Sequence, residues 1–179
     1  MEYYLFTRAE REHIFSKFLP AIQHNYEFIL IDTPPSLNLL TLNALCASDF
    51  VLVPVQPEFF SLEGILKIRE FVEDVRVRWN PRISVMGVLA TQVTFRRKLS
   101  QEVINILKGQ FGSMLFNTVI HDNSAVTESS GHAQSVIRYK RSSKGARDYM
   151  EAATELLARC EFNSAARKKS NAATEEISL

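Results

Sequence analysis

The chain has 179 residues, 46% of them apolar and 23% charged, with a formal net charge of +1. That is enough apolar material for one domain with a real core, or for a large part of a bigger one. The charge is too even for a global attraction to nucleic acid, so any such binding has to come from a local patch. No apolar run approaches the ~20 residues that span a bilayer. The opening MEYYLFTRAERE carries acidic residues and no signal-peptide pattern, so the expected compartment is the cytoplasm. Cys46 and Cys160 are far apart and read as two reduced thiols, and His13, His24, His121 and His132 form no HExxH-type pair.

Taken in chain order, residues 8 to 24 read as a helix, with Ile14, Phe18 and Ile22 at four-residue steps and Pro20 kinking or shortening it. Phe28 to Ile31 form a short continuous apolar run, the pattern of a strand covered on both faces of a parallel sheet. A helix follows over 37–46, then a second buried strand over 50–55 (FVLVPV). The segment 61–79 is helical, with Leu62, Ile65, Ile68, Val72, Val75 and Trp79 on one stripe. A third strand occupies 83–90. Ser100 is a candidate cap for a helix running to about Gln110, with Val103, Ile106 and Leu107 inward. A fourth strand covers 115–120, and a last helix begins near Ser142 or Ser143 with Tyr149, Ala153, Leu156 and Cys160 on one face. Strand and helix alternate, which predicts an α/β fold with a mainly parallel sheet and helices on both faces. Residues 161–179 are polar and poor in large apolar side chains, so a disordered tail is expected there, with the folded portion at 1–160.

The stretch FILIDTPPS (28–36) ends an apolar run on Asp32, followed by Thr33, Pro34, Pro35 and Ser36. In open α/β sheets ligands sit beyond the carboxyl ends of the strands. A carboxylate there serves to hold a magnesium-bound water. The pattern suits equally an aspartate capping the next helix through its N–H groups.

The wider sequence resembles a known family. YEFILIDTPPSLNLLTLNAL (26–45) is similar to the Walker B region of the ParA/Soj partition ATPases, in the ParA/MinD branch of P-loop NTPases. The likeness continues through ASDFVLVPVQPEFFSLEGI (47–65) and NPRISVMGVLATQV (80–93), and returns in SVIRYKRSSKGARDYMEAATELL (135–157). The resemblance implies ATP and magnesium as cofactors. It implies a Walker B role for Asp32, organising magnesium through water, with Thr33, Pro34, Pro35 and Ser36 as the mobile turn that senses the γ-phosphate. It places Gln56 and Pro57 in a loop near the nucleotide, Thr91 at the base side and Asn123 in the base loop. It also implies an ATP-driven sandwich dimer that binds DNA without sequence preference, and a ParB-type partner that stimulates hydrolysis.

A phosphate loop needs Gly-Lys followed by Ser or Thr, so that backbone N–H groups and the lysine enclose the phosphates. Of the glycines (Gly64, Gly87, Gly109, Gly112, Gly131, Gly145), none is followed by lysine. The likeness starts at the helix before the Walker B strand, so the fold is expected to be incomplete at its N-terminal side, without the central strand and its loop. This chain alone is therefore expected to hold ATP poorly and to be inactive by itself. A fragment, a half of a split protein, or a nucleotide-independent module that pairs with a full-length relative all fit, in that order of economy.

RYKRSSKGAR (138–147) carries Arg138, Lys140, Arg141, Lys144 and Arg147 with no acid, and Arg96, Arg97 and Lys98 form a second patch. Most charge runs are solvated faces. The resemblance makes both patches candidates for salt-sensitive contact with the DNA backbone. At 121–127 the chain reads HDNSAVT, with Asp122 and Ala125 where the family commonly has basic residues, which predicts weakened DNA affinity. His121 reads as a surface loop residue. The tail EFNSAARKKSNAATEEISL has no apolar face of the kind that lies on lipid, so membrane binding of the MinD type is not expected.

Overall fold

The computed structural model describes residues 10–58, 61–94 and 98–177, the backbone alone at 98–99 and 162–177. Its strands are β1 (Phe50–Val55) and β2 (Ser84–Ala90). Its α-helices are α1 (Ile14–Phe18), α2 (Leu39–Cys46), α3 (Ser61–Arg78), α4 (Lys98–Phe111), α5 (Ser124–Gly131), α6 (Val136–Tyr139) and α7 (Lys144–Ile177). The chain divides into two units, Met1–Leu52 with Leu62–Val85, and Val53–Ser61 with Met86–Leu179.

β1 and β2 run parallel. The Ser84 N–H donates to Asp49 O at 3.2 Å in the first unit, and the Thr91 N–H donates to Val55 O at 2.7 Å in the second, so the register advances in the same direction on both strands. Residues 115–122 lie parallel to β2 through bridges at Val88–Leu115 and Val93–His121. The Phe116 N–H donates to Val88 O and the Ile120 N–H to Ala90 O. The fourth predicted strand is thus present as a neighbour of β2, but its pairing is too interrupted to make a continuous ladder.

In the first unit, Leu45, Cys46, Val72, Val75 and Ile83 form the core, with Val51, Ile68, Phe71 and Val85 against it. The predicted stripe of α3 is the face that packs. Burial pushes the Cys46 thiol up to about 11, with the Glu12 carboxylate adding to it, so the sulfur stays protonated. Asn80 secures the turn after α3. Its buried amide donates to Leu45 O at 2.9 Å and Ser48 O at 2.7 Å, and its oxygen accepts from the Arg82 N–H. Asn80→Ala leaves those groups unpaired and is expected to cost about 2 kcal/mol, read as a lower urea midpoint. Asn80→Asp is expected to cost more, because its acceptor-only carboxylate would face the same two carbonyls.

Several expectations change. The helix expected over 8–24 is broken into α1 and 3-10 turns at Arg11–His13, Leu19–Ala21 and Gln23–Asn25. Pro20 removes an N–H that a continuing helix would need, and α1 stops at Phe18. Residues 28–31 are not a strand: Leu30 is 86% exposed and Phe28 46%. A strand needs a ladder partner, and no described residue pairs with this run. On α4, Ile104 is buried while Ile106 is 41% exposed, because the helix begins at Lys98 and turns its apolar face onto Val103, Ile104 and Leu107. On α7, Tyr149 is 41% exposed and Ala153 is exposed. The inward face is instead Ala146, Asp148 and Ala152. Its backbone is helical to Ile177, into the segment 161–179 for which a disordered tail was expected, and the stretch beyond Cys160 is rich in helix formers and free of glycine and proline.

Candidate nucleotide-binding pocket and basic face

In the second unit, a cavity of about 190 Å³ opens where the strands end, lined by Gln56, Pro57, Glu58, Gln92, Thr94, Ser100 and Asp122. Gln56 to Glu58 follow β1, Gln92 and Thr94 follow β2, and Asp122 follows the parallel segment 115–122. Three parallel chain ends therefore meet at their carboxyl side, where α/β folds bind ligands. The loop after β1 is held by hydrogen bonds from the Glu58 N–H to Gln56 O at 2.8 Å and from the Ser61 N–H to Glu58 O at 3.0 Å. Gln92 sits at φ 53, a left-handed conformation uncommon for a residue with a side chain and typical of functional loops.

Of the predicted nucleotide residues, Gln56 and Pro57 line this cavity. Thr91 does not line it. Its N–H and hydroxyl both bond Val55 O, tying the strands together. Asn123 caps α5, its oxygen accepting from the Ala125 N–H at 3.1 Å. Glu58, Gln92, Thr94 and Ser100 were missed by sequence reading. Their one signal is position, since each lies just beyond a strand end or at the helix that follows.

The pocket lining is rich in acceptors. Two carboxylates, two amides and two hydroxyls suit a ligand that presents N–H and O–H groups, such as a base or sugar. Among the described residues the lining supplies no cation, so a phosphate placed there would face the Glu58 and Asp122 carboxylates. The described lining thus suits N–H and O–H groups better than phosphate oxygens. Asp32 belongs to the first unit and is exposed with Thr33 to Ser36. It does not cap α2. Asn38 does, accepting from the Leu40 and Thr41 N–H groups at 3.1 and 3.2 Å. Among the described residues no three acidic, His or Cys side chains cluster to hold a metal.

His121 is not a free surface residue. Its N–H and its Nδ1 both lie 2.9 Å from Asp148 Oδ2, and both side chains are largely buried. The pair fixes the chain end that presents Asp122 to α7. Nearby, Ser143 caps α7 by accepting from the Ala146 N–H. Arg138, Lys140, Arg141, Lys144 and Arg147 all stand exposed around that helix start. Arg96 and Arg97 lie outside the described residues, and Lys98 opens α4 with its side chain undescribed.

A family model described as an AAA domain matches residues 1–85. The chromosome-partitioning ATPase Soj of Treponema pallidum is 38% identical over 155 residues, 87% of this chain and 61% of the relative. The chromosome partitioning protein ParA of Caulobacter vibrioides is 38% identical over 153 residues, 84% of this chain and 57% of the relative. This chain is a ParA/Soj homologue. It spans about three-fifths of the length of these curated relatives (61% and 57%). Among solved structures, cobyrinic acid a,c-diamide synthase of Mycobacterium smegmatis, with bound ATP analogue and magnesium, matches at TM-score 0.72 and 28% identity, over 89% of this chain and 58% of that one. The cell division ATPase MinD of Pyrococcus furiosus matches at TM-score 0.67 and 19% identity, over 82% and 58%, and supports the fold alone. The ParA/Soj homologue thus has the mainly parallel α/β fold predicted from its sequence. No helix among the described residues is long and apolar enough to cross a membrane.

Proposed function

We propose that this ParA/Soj homologue acts in chromosome or plasmid partitioning in the cytoplasm, and that it touches the DNA backbone through the start of α7. The observation that carries the reading is the set of five exposed cations, Arg138, Lys140, Arg141, Lys144 and Arg147, gathered around one capped helix start. Helix N–H groups there add to the attraction for phosphate. In the assembled protein the same proposal includes ATP with magnesium, Asp32 in the Walker B role with Thr33 to Ser36, a base seated by Gln56 and Pro57 with Thr91 and Asn123 behind them, dimerisation, and a ParB-like partner. The 179-residue chain carries no Gly-Lys phosphate loop, so we propose that it does not hydrolyse ATP alone.

Anisotropy with a random-sequence duplex across a salt series tests the DNA contact. Affinity is expected to fall with salt and to be indifferent to sequence. Changing Lys140, Arg141 and Lys144 together to alanine is expected to reduce the log–log salt slope by about 3, roughly one per lost phosphate contact. Binding that ignores salt, or an unchanged slope, would sink this reading. A second reading is favoured by the exposed apolar run at 28–31: a non-enzymatic module that pairs with a full-length relative and regulates it. Co-purification with such a relative tests that reading.

A further inference from the structure

Helix α5 ends in a tight turn. The His132 N–H donates to Glu128 O at 3.3 Å and to Ser129 O at 3.2 Å, and the Gln134 N–H returns to Ser129 O at 3.0 Å. Ala133 takes φ 50 to allow this, the left-handed conformation that closes many helix ends. The turn lays the His132 ring on the Tyr139 ring of α6, with centroids 5.1 Å apart and planes 20° from parallel. The Tyr139 hydroxyl donates to Glu128 Oε2 at 3.2 Å, which ties the phenol to α5. Ala125, Val136 and Ala146 pack α5, α6 and α7 together. The two rings are therefore held by the helices that carry them.

His132 is exposed and Tyr139 half-buried. The phenol covers one face of the imidazole, so the other face meets solvent. Arg138 and Lys140 flank Tyr139 in the chain and Arg141 follows, all exposed. Rings set among cations suit a single strand, because cations take its phosphates and any base can add its π-face to the stack. A duplex keeps its base faces in its own stack and offers phosphates and groove edges instead. We infer that the His132–Tyr139 stack is a platform for an unpaired base, so that the basic face at the start of α7 prefers single-stranded DNA to duplex. The inference rests on the DNA-contact reading above and gives it a substrate class.

The test uses the full chain and three labelled probes of equal length in the same salt: an oligothymidylate, a mixed-sequence duplex and an abasic strand. The oligothymidylate is expected to bind about tenfold more tightly than the duplex, as one stacked base supplies. The abasic strand keeps the phosphates without the bases and is expected to lose that advantage. His132→Ala is expected to bring the oligothymidylate down to the duplex and to leave duplex affinity within about twofold. His132→Phe keeps a ring, and is expected to keep the preference. An oligothymidylate that binds no better than the abasic strand overturns the inference. So does a preference that survives in His132→Ala or is lost in His132→Phe. The two failures are separable. Equal, salt-sensitive binding of oligothymidylate and duplex ends the platform and leaves the DNA-contact reading standing. No binding of any probe ends both.

Discussion

Arg159→Ala is expected to destabilise the second unit by about 3 kcal/mol, seen as a lower urea midpoint and faster amide exchange at 115–118. The guanidinium joins α7 to the chain beside β2. It donates to Ser113 O at 2.9 Å and Leu115 O at 3.0 Å. It reaches Glu155 Oε1 through Nε at 3.1 Å and Nη2 at 2.8 Å, and lies 4.1 Å above the Phe116 ring. The Glu155 carboxylate in turn accepts from the Asn117 and Thr118 N–H groups, each at 2.9 Å. Both side chains are mostly out of water, at 18% and 16% exposure. Removing one partner of such a pair leaves the other charge uncompensated, which costs about 3–5 kcal/mol when burial is full and less here. Arg159→Lys is expected to recover little, since an ammonium cannot reach carbonyls and carboxylate in one plane while stacking on a ring.

The same clamp sets a pH dependence. Burial pushes the Glu155 carboxyl up, but the Thr118 and Asn117 N–H groups and the Arg159 guanidinium outweigh it and hold it below the usual range. A carboxyl whose folded pKa is depressed stabilises the fold above its unfolded pKa, about 4.3 for glutamate. That stabilisation is lost as pH falls through the folded pKa. The stability gap between the natural chain and Glu155→Gln is therefore expected to be constant at neutral pH and to close in acid. A gap that does not change with pH would remove Glu155 from this role.

Gly87→Ala is expected to cost about 3 kcal/mol, the second large effect. Gly87 lies inside β2, and a Cβ there would stand 2.6 Å from Met114 O and 2.7 Å from Phe116 Cε2. The carbonyl belongs to the backbone turn that leads into 115–122, so it cannot simply swing aside. Overpacking of a tight site costs about 1–3 kcal/mol and occasionally more. Phe116→Leu should relieve the ring contact but not the carbonyl contact. A double-mutant cycle in urea is therefore expected to show partial rescue. Full stability in the Gly87→Ala chain would mean that 113–116 moves freely against β2.

Much of the architecture was legible. β1 coincides with the predicted 50–55, and β2 begins one residue late. Both are continuous apolar runs between helical periods, the mark of strands covered on both faces. The α3 stripe was legible because five turns of one periodicity leave little ambiguity. Phe28 to Ile31 has the same local pattern as β1 and yet forms no strand, because a ladder is made with a neighbour and local pattern cannot supply one. The same limit hid α5 and α6, which are short and held by contacts of Ala125, Val136 and Ala146.

Two of the seven described residues lining the candidate pocket were legible and the others were not. Gln56 and Pro57, which the family resemblance singled out, line the cavity. Gln92, Thr94, Ser100 and Glu58 were not, since they join the cavity only when three chain ends come to one side of a parallel sheet. His121 looked unpartnered because Asp148 lies 27 residues away in the chain. By itself, then, the sequence determined the α/β alternation, the ParA/Soj likeness, the lack of a Gly-Lys phosphate loop and the basic start of α7, all properties of adjacent residues. Only the tertiary structure decided which apolar run became a strand, which polar side chains share the pocket, and how Arg159 and Gly87 seat their neighbours. Those depend on pairing and packing between distant segments, and hydrogen bonds and close contacts fall off within a few ångströms whatever the separation along the chain.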